Sequence, residues 1–176
     1  PRMAGFQVFN IRQVDGYGDM RGRFSRISLG FDTNEWSPVG QMTDAEVLAK
    51  TIYGEARGEP IEGMAAIANV VMNRVAKGGW WGNTISKVCL KPGQFSCWND
   101  DDPNQILLSR ISVNDPLVGP VYAQCLAVAT LAVMSLLKDN TQGSYHYHTL
   151  SSKPWWVENR VPSVTIGGHR FYNTIP

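Results

Sequence analysis

No stretch of about 18 apolar residues, the length a membrane-spanning helix needs, occurs in the sequence, so stable insertion into a membrane is not expected. Cysteine is scarce: Cys89, Cys97 and Cys125 are the only three in 176 residues. An odd number cannot pair completely, and this spacing is not that of a small secreted disulfide framework. Cys89 and Cys97 flank the Lys91-Pro92-Gly93 turn and are the pair placed to bridge, whereas Cys125 lies in an apolar segment where a buried thiol is the ordinary outcome. An excess of charge is also missing, since 16 Lys and Arg against 15 Asp and Glu leave a net charge of +1. Nucleic-acid binding driven by phosphate neutralisation is therefore not expected. Internal repeats and low-complexity tracts are absent. The first 40 residues, which begin at Pro1, hold no apolar core of an export signal.

What is present is an ordinary globular balance, 43% hydrophobic and 18% charged residues, in a length that suits one domain with an extension. Residues 1–42 carry Arg2, Arg12, Arg21, Arg23 and Arg26 and alternate over Phe6–Ile11 and Phe24–Leu29, a pattern of short strands or an extended arm. We treat them as an N-terminal extension, with the folded domain over 43–176. Thr43-Asp44-Ala45-Glu46 forms a capping box that starts a helix running to about Arg57. Pro60 opens a second helix at its first turn, with Met64, Ile67, Ala68, Val71 and Val75 on its buried stripe and Gly78-Gly79 at its end. Thr84 caps a short helix through Leu90, and Ser96–Pro103 is polar and loop-like. An apolar helix over 117–137, with Leu126, Ala129, Val133 and Leu136 or Leu137 on one side, is expected to be the central one. From Asn140 the period shortens: Tyr145–His148 and Ser163–Ile166 alternate like strands, and Gly167-Gly168 before His169–Tyr172 reads as a hairpin. Helices first and a small antiparallel sheet last make an α+β domain.

Glu55 and Glu59 stand at i and i+4, so they share one face if the first helix persists that far. Two such carboxylates repel, and with partial burial at least one is expected to hold a proton near neutral pH. A protonated carboxyl is what a glycosidic leaving oxygen needs. Spacing alone is equally met by a solvated helix terminus.

Tyr53-Gly54-Glu55-Ala56-Arg57-Gly58-Glu59-Pro60, followed by Glu62-Gly63 and Ala65–Val75, resembles the signature of the SleB-type cell-wall hydrolases, spore-cortex lytic enzymes with relatives in bacteria and phages. The likeness continues through Thr84–Val88, Lys91–Ser96 and Tyr145–Tyr147 and ends at Ile166–Tyr172, four ordered blocks over roughly 43–173. The resemblance implies a lysozyme-like or transglycosylase-like fold, mainly helical, without an organic cofactor. The implied activity is cleavage of peptidoglycan glycan strands between N-acetylmuramic acid and N-acetylglucosamine, at the cell wall, in the periplasm or at the extracellular face. A place in a phage particle or lysis system is compatible with the same features. On this pattern Glu55 is the general acid and Glu59 its support. Two carboxylates on one helix approach a bond from the same side, which favours a single-acid route to a 1,6-anhydro product over hydrolysis. Gln94, Phe95 and Ser96 follow a tight turn in a matching block and are candidate substrate contacts. So are Tyr145 and Tyr147 on one strand face, His146 and His148 on the other, Trp155 with its neighbour Trp156, and His169. Trp80, Trp81 and Trp98 read as loop anchors.

Two other readings stay open. His146, His148 and His169 with Glu55 would suffice in number for a catalytic zinc site, which would make the chain an amidase cutting the lactyl–peptide bond. No His-Glu-x-x-His helix or Cys-x-x-Cys pair supports this, and no metal ligand is assigned. A non-catalytic wall-binding module is the third reading.

Overall fold

A computed structural model describes residues 42–175, and the alternating patches expected at 6–11 and 24–29 lie outside them. Five helices come first: α1 (Asp44–Ala56), α2 (Ile61–Lys77), α3 (Ile85–Cys89), α4 (Pro103–Arg110) and α5 (Gly119–Val133). Three strands follow, β1 (His146–Thr149), β2 (Val164–Ile166) and β3 (His169–Tyr172). They form one antiparallel sheet in the order β1-β3-β2.

The Thr43 capping box is present in both directions: Thr43 accepts from the Glu46 amide, and Glu46 accepts from the Thr43 amide at 2.7 Å. α1, not α5, is the central helix, with seven consecutive residues, Val47 to Tyr53, buried. Burial of Thr51 is tolerated because its hydroxyl donates to Val47 O and accepts from Trp98 Nε1 at 2.9 Å. α5 packs on α1 through Tyr122, Cys125, Val128, Ala129 and Ala132, and Val133 and Leu136 of the expected stripe are exposed. For Leu136 the reason is length: the helix stops at Val133, and Ser135 adopts φ 58°, which turns the chain before Leu136 can continue the face.

Pro60 is the N-cap of α2 rather than its first residue, a shift of one position. Gly78 ends α2 at φ 64°, a left-handed conformation that suits glycine. α4 starts at the last residue of the expected Ser96–Pro103 loop and lies in a stretch where the sequence pattern predicts no element. Asp102 caps it by accepting from the Asn104 amide, and Pro103 sits in its first turn. All three cysteines are free and buried, so the Cys89–Cys97 bridge does not form.

The sheet has two unlike faces. Tyr147, Phe171, Val164 and Ile166 turn toward the helices and join the main core, while Tyr172 joins Trp156, Val157 and Ile175 on the outer side. The Gly167-Gly168 turn joins β2 to β3, with Gly167 at φ 54°.

Candidate active site

α2 builds the site by holding the loop that precedes β1. Asn69 and Asn73, one helical turn apart, share the face toward that loop. Asn69 donates to Lys138 O and Asn140 Oδ1, both at 3.1 Å, and Asn73 donates to Thr141 Oγ1 and Ser144 O, both at 3.2 Å. Within the loop Asp139 accepts from the Thr141 and Gly143 amides at 2.7 Å. Burial works against the charge of Asp139, but these hydrogen bonds outweigh it and lower its pKa. Arg74, on the same helix, donates through Nε to Tyr145 O at 2.9 Å. The result is that β1 leaves the loop in fixed register and brings Tyr147 to α1.

There the Tyr147 hydroxyl donates to Glu55 Oε2 at 2.7 Å, joining residues 92 positions apart. Burial, then the charge of Glu55 and this hydrogen bond, push the Tyr147 phenol well above its usual range, while Arg74 opposes the shift. The phenol is thus a permanent donor. Cys97 borders the same carboxyl, and burial with the nearby Glu55 charge holds it as a neutral thiol. Gly54 makes room for it: a Cβ there would lie 2.6 Å from Cys97 Cβ. Glu55 itself is half-buried at the last turn of α1.

Arg74 is the main member of this group that its residue type did not reveal. Its guanidinium lies between the rings of Trp81 (4.3 Å) and Phe95 (5.0 Å) and donates to Gln94 Oε1 at 3.3 Å. Burial lowers its pKa to about 10, with Tyr147, Cys89 and Glu55 acting in the opposite sense. It therefore keeps its charge at neutral pH. The available signal was a polar set, Asn69, Asn73 and Arg74, within an otherwise apolar stripe.

Glu59 does not share a helix face with Glu55, because α1 ends at Ala56. Glu59 instead sits in the turn before α2, where Oε2 accepts from the Gly168 amide at 2.8 Å and Oε1 lies 3.7 Å from His169 Nδ1. It ties the β2–β3 turn to the helices. His169 is buried, and its Nδ1 has no hydrogen-bond partner.

The other candidates fall into two groups. Phe95 is 1% exposed, so its ring has no face for a sugar and serves Arg74 instead. Gln94 is engaged at both ends, donating to Trp81 O at 2.8 Å as well as accepting from Arg74. Tyr145 lies under Lys77 Nζ at 4.3 Å, and Ser96 is exposed. On the outer sheet face His146 packs between Trp81 (5.1 Å) and Trp156 (5.6 Å). Burial, then repulsion from Arg74, Lys77 and Arg160, lowers the His146 pKa to about 4, so the ring is neutral at neutral pH. His148 is held by Tyr172 Oη at 2.9 Å and Thr149 O at 2.8 Å, and Trp155 is 88% exposed. No three His, Cys, Asp or Glu side chains among the described residues converge to hold a metal ion. The histidines required by the zinc reading divide between the two faces of the sheet, because alternate strand positions point opposite ways.

The α+β fold belongs to a defined class. Residues 58–172 match the Cell Wall Hydrolase family, and the chain is a member of that family. Glu55 lies just ahead of the matched segment, which includes Glu59, Arg74, Gln94 and Tyr147. Among relatives, the chain is 30% identical to a spore cortex-lytic enzyme of Bacillus cereus over 133 residues, 73% of this chain and 43% of that protein. It is 33% identical to that of Oceanobacillus iheyensis over 124 residues, 63% of this chain and 44% of the relative. It thus spans less than half the length of these relatives. The fold is shared with the catalytic domain of the Bacillus cereus SleB protein at TM-score 0.56 and 25% identity, covering 78% of this chain and 92% of that one. The catalytic domain of the germination-specific lytic transglycosylase SleB from Bacillus anthracis gives the same score and identity and is covered to 97%. The fold is therefore lysozyme-like, as the sequence resemblance implied.

Proposed function

We propose that this chain cleaves peptidoglycan glycan strands as a lytic transglycosylase, with Glu55 as its one acid and base. The observation that carries the reading is the Tyr147 hydrogen bond, which fixes one Glu55 oxygen while Glu59 is committed to the Gly168 amide. One carboxyl is thus oriented for chemistry while Glu59, the other carboxyl of the motif, is held by the β2–β3 turn, unlike the two opposed groups that paired-carboxylate hydrolysis requires.

Glu55 gives its proton to the glycosidic oxygen as the bond from muramic C1 breaks, releasing the N-acetylglucosamine end as an alcohol. The resulting carboxylate takes the proton of the muramic 6-hydroxyl while that oxygen bonds to C1. The ring closes to a 1,6-anhydro product, and Glu55 ends protonated as it began. Tyr147 holds the carboxyl in one orientation through both transfers. Arg74 keeps a positive charge beside the pair and, through Tyr145 O, keeps β1 in place. Glu59 acts as a positioning residue, Gln94 and Phe95 support the glycan site indirectly by holding Arg74, and the exposed Ser96 is left as a candidate contact for the glycan. The activity places the protein at the cell wall.

Muropeptide mass spectrometry of digested sacculi tests the reaction. Anhydro-muropeptides are expected; new reducing ends would mean hydrolysis, free stem peptides an amidase, and sedimentation with sacculi without release a binding module. Glu55→Gln is expected to lower glycan cleavage by about a thousandfold or more with an unchanged circular dichroism spectrum. Retention of activity in that variant overturns the assignment.

A further inference from the structure

The outer face of the sheet carries a cavity that the reaction above leaves unused. It has a volume of about 330 Å³ and lies between the β1–β2 connection and β3. Its lining includes Lys153, Arg160 and Arg170 together with Ser151, Ser152 and His148, and no Asp or Glu is among its lining residues. Lys153 and Arg160 come from the connection and Arg170 from β3, so three separate positions supply cations to one hollow in a chain of net charge +1. All three are exposed, and Arg160 has one hydrogen bond, to Thr174 O at 3.2 Å. Like charges gathered without a lining counter-charge repel one another, an arrangement that an anionic ligand relieves. Tyr172 and the Tyr172–His148 hydrogen bond line the hollow, while Tyr147 points to the opposite face. The cavity is therefore distinct from the Glu55 centre.

We propose that this cavity is a binding site for a peptide bearing two or more carboxylates. Two planar guanidinium forks match carboxylates in bidentate fashion, and the ammonium group adds a third, separate charge. Cations spread over two segments suit charges set apart along a short chain better than the single compact charge of one phosphate. Within a peptidoglycan substrate such carboxylates belong to the peptide stems, so naming the ligand rests on the proposed function, whereas anion binding at the cavity does not. Holding a stem on the outer face would select strands that carry peptide.

The test uses the full chain, with ¹H–¹⁵N NMR titration of the tripeptide L-Ala-γ-D-Glu-diaminopimelate and, separately, glycerol phosphate. The tripeptide is expected to shift amides around Ser151–Lys153 and Arg170, with binding weakened about tenfold or more in the Lys153→Glu/Arg170→Glu variant. That variant should still cleave peptide-free glycan at the parental rate. Glycerol phosphate binding as tightly as the tripeptide would overturn the peptide assignment. No shift with either probe at about 10 mM, well above a millimolar Kd, or shifts that persist in the variant, would overturn the site. Because binding is read without catalysis, loss of the transglycosylase reading would leave these outcomes interpretable.

Discussion

Removing the hydroxyl of Tyr147 tests the site without touching the carboxyl. Tyr147→Phe keeps the ring stack on Phe171, whose centroid is 5.8 Å away, but frees Glu55 Oε2. We expect kcat to fall by about 10- to 100-fold, in keeping with the misplacement of a catalytic group, together with a shifted pH–rate profile. A parental profile with parental kcat would show that the hydrogen bond has no part in catalysis. His146 supplies a second test at this scale, through stability. Its pKa falls from 6.5 to about 4 on folding, chiefly through burial, so the unfolded chain takes up the proton first as pH drops. The contribution is complete above pH 6.5 and is lost as pH falls toward 4. After allowance for its partial exposure it is on the order of 1–2 kcal/mol. Urea unfolding of His146→Phe at pH 7 and pH 4.5 should show a smaller difference between the two pH values than the parent does. Glu55 and Tyr147 were both legible in the sequence as candidates, one from a motif and one from strand alternation. Their hydrogen bond was not, because nothing local relates positions 92 residues apart. Arg74 escaped notice for a related reason: a basic residue near a helix end reads as solvated until tertiary packing places rings on both sides of it.

Among the elements, caps, glycines and the bounds of α1, α2 and α3 were readable, and the end of α5 was not. Thr43, Thr84 and Gly78 act where their chemistry places them, since each satisfies or ends a helix through local atoms alone. α4 shows the limit: Asp102 and Pro103 carry a start signal, but the helix that follows is short and mostly polar on its outer side, with only Leu108 buried. Its stability comes from tertiary contact, which hydropathy does not display. α1 was underestimated for the converse reason, because Lys50 interrupts its apolar pattern although it is buried. The same helix's early end separates Glu59 from Glu55 and makes Glu59 the clasp of the β2–β3 turn. Glu59→Ala would leave the Gly168 amide without its acceptor, at a cost of about 1–3 kcal/mol. Glu59→Gln retains an acceptor oxygen and should stay within about 1 kcal/mol of the parent. Denaturant midpoints of the two variants check this, and equal losses would show that the charge of Glu59, rather than its hydrogen bond, secures the turn.

For the described residues taken together, the cysteines report whether the core opens as one unit. Cys89 ends α3, Cys97 lies beside Glu55, and Cys125 is in the middle of α5, yet all three belong to the same apolar cluster. Burial pushes the thiols of Cys89 and Cys125 up to about 12 and that of Cys97 higher, so neither thiolate nor access is available in the native state. A thiol reagent at pH 8 should label three groups per chain in denaturant. In the native state, labelling should be slower by a factor on the order of a thousand or more, the scale set by global opening. Because α1 packs against both α3 and α5, disruption of that helix exposes all three thiols at once, and mass spectrometry should find them modified at similar rates. Faster labelling of Cys125 alone would instead mean that α5, whose outer side is largely apolar and exposed, detaches while the Glu55 region stays folded. The free thiols also predict that a reductant leaves the thermal midpoint unchanged, since no covalent bridge limits the entropy of the unfolded chain.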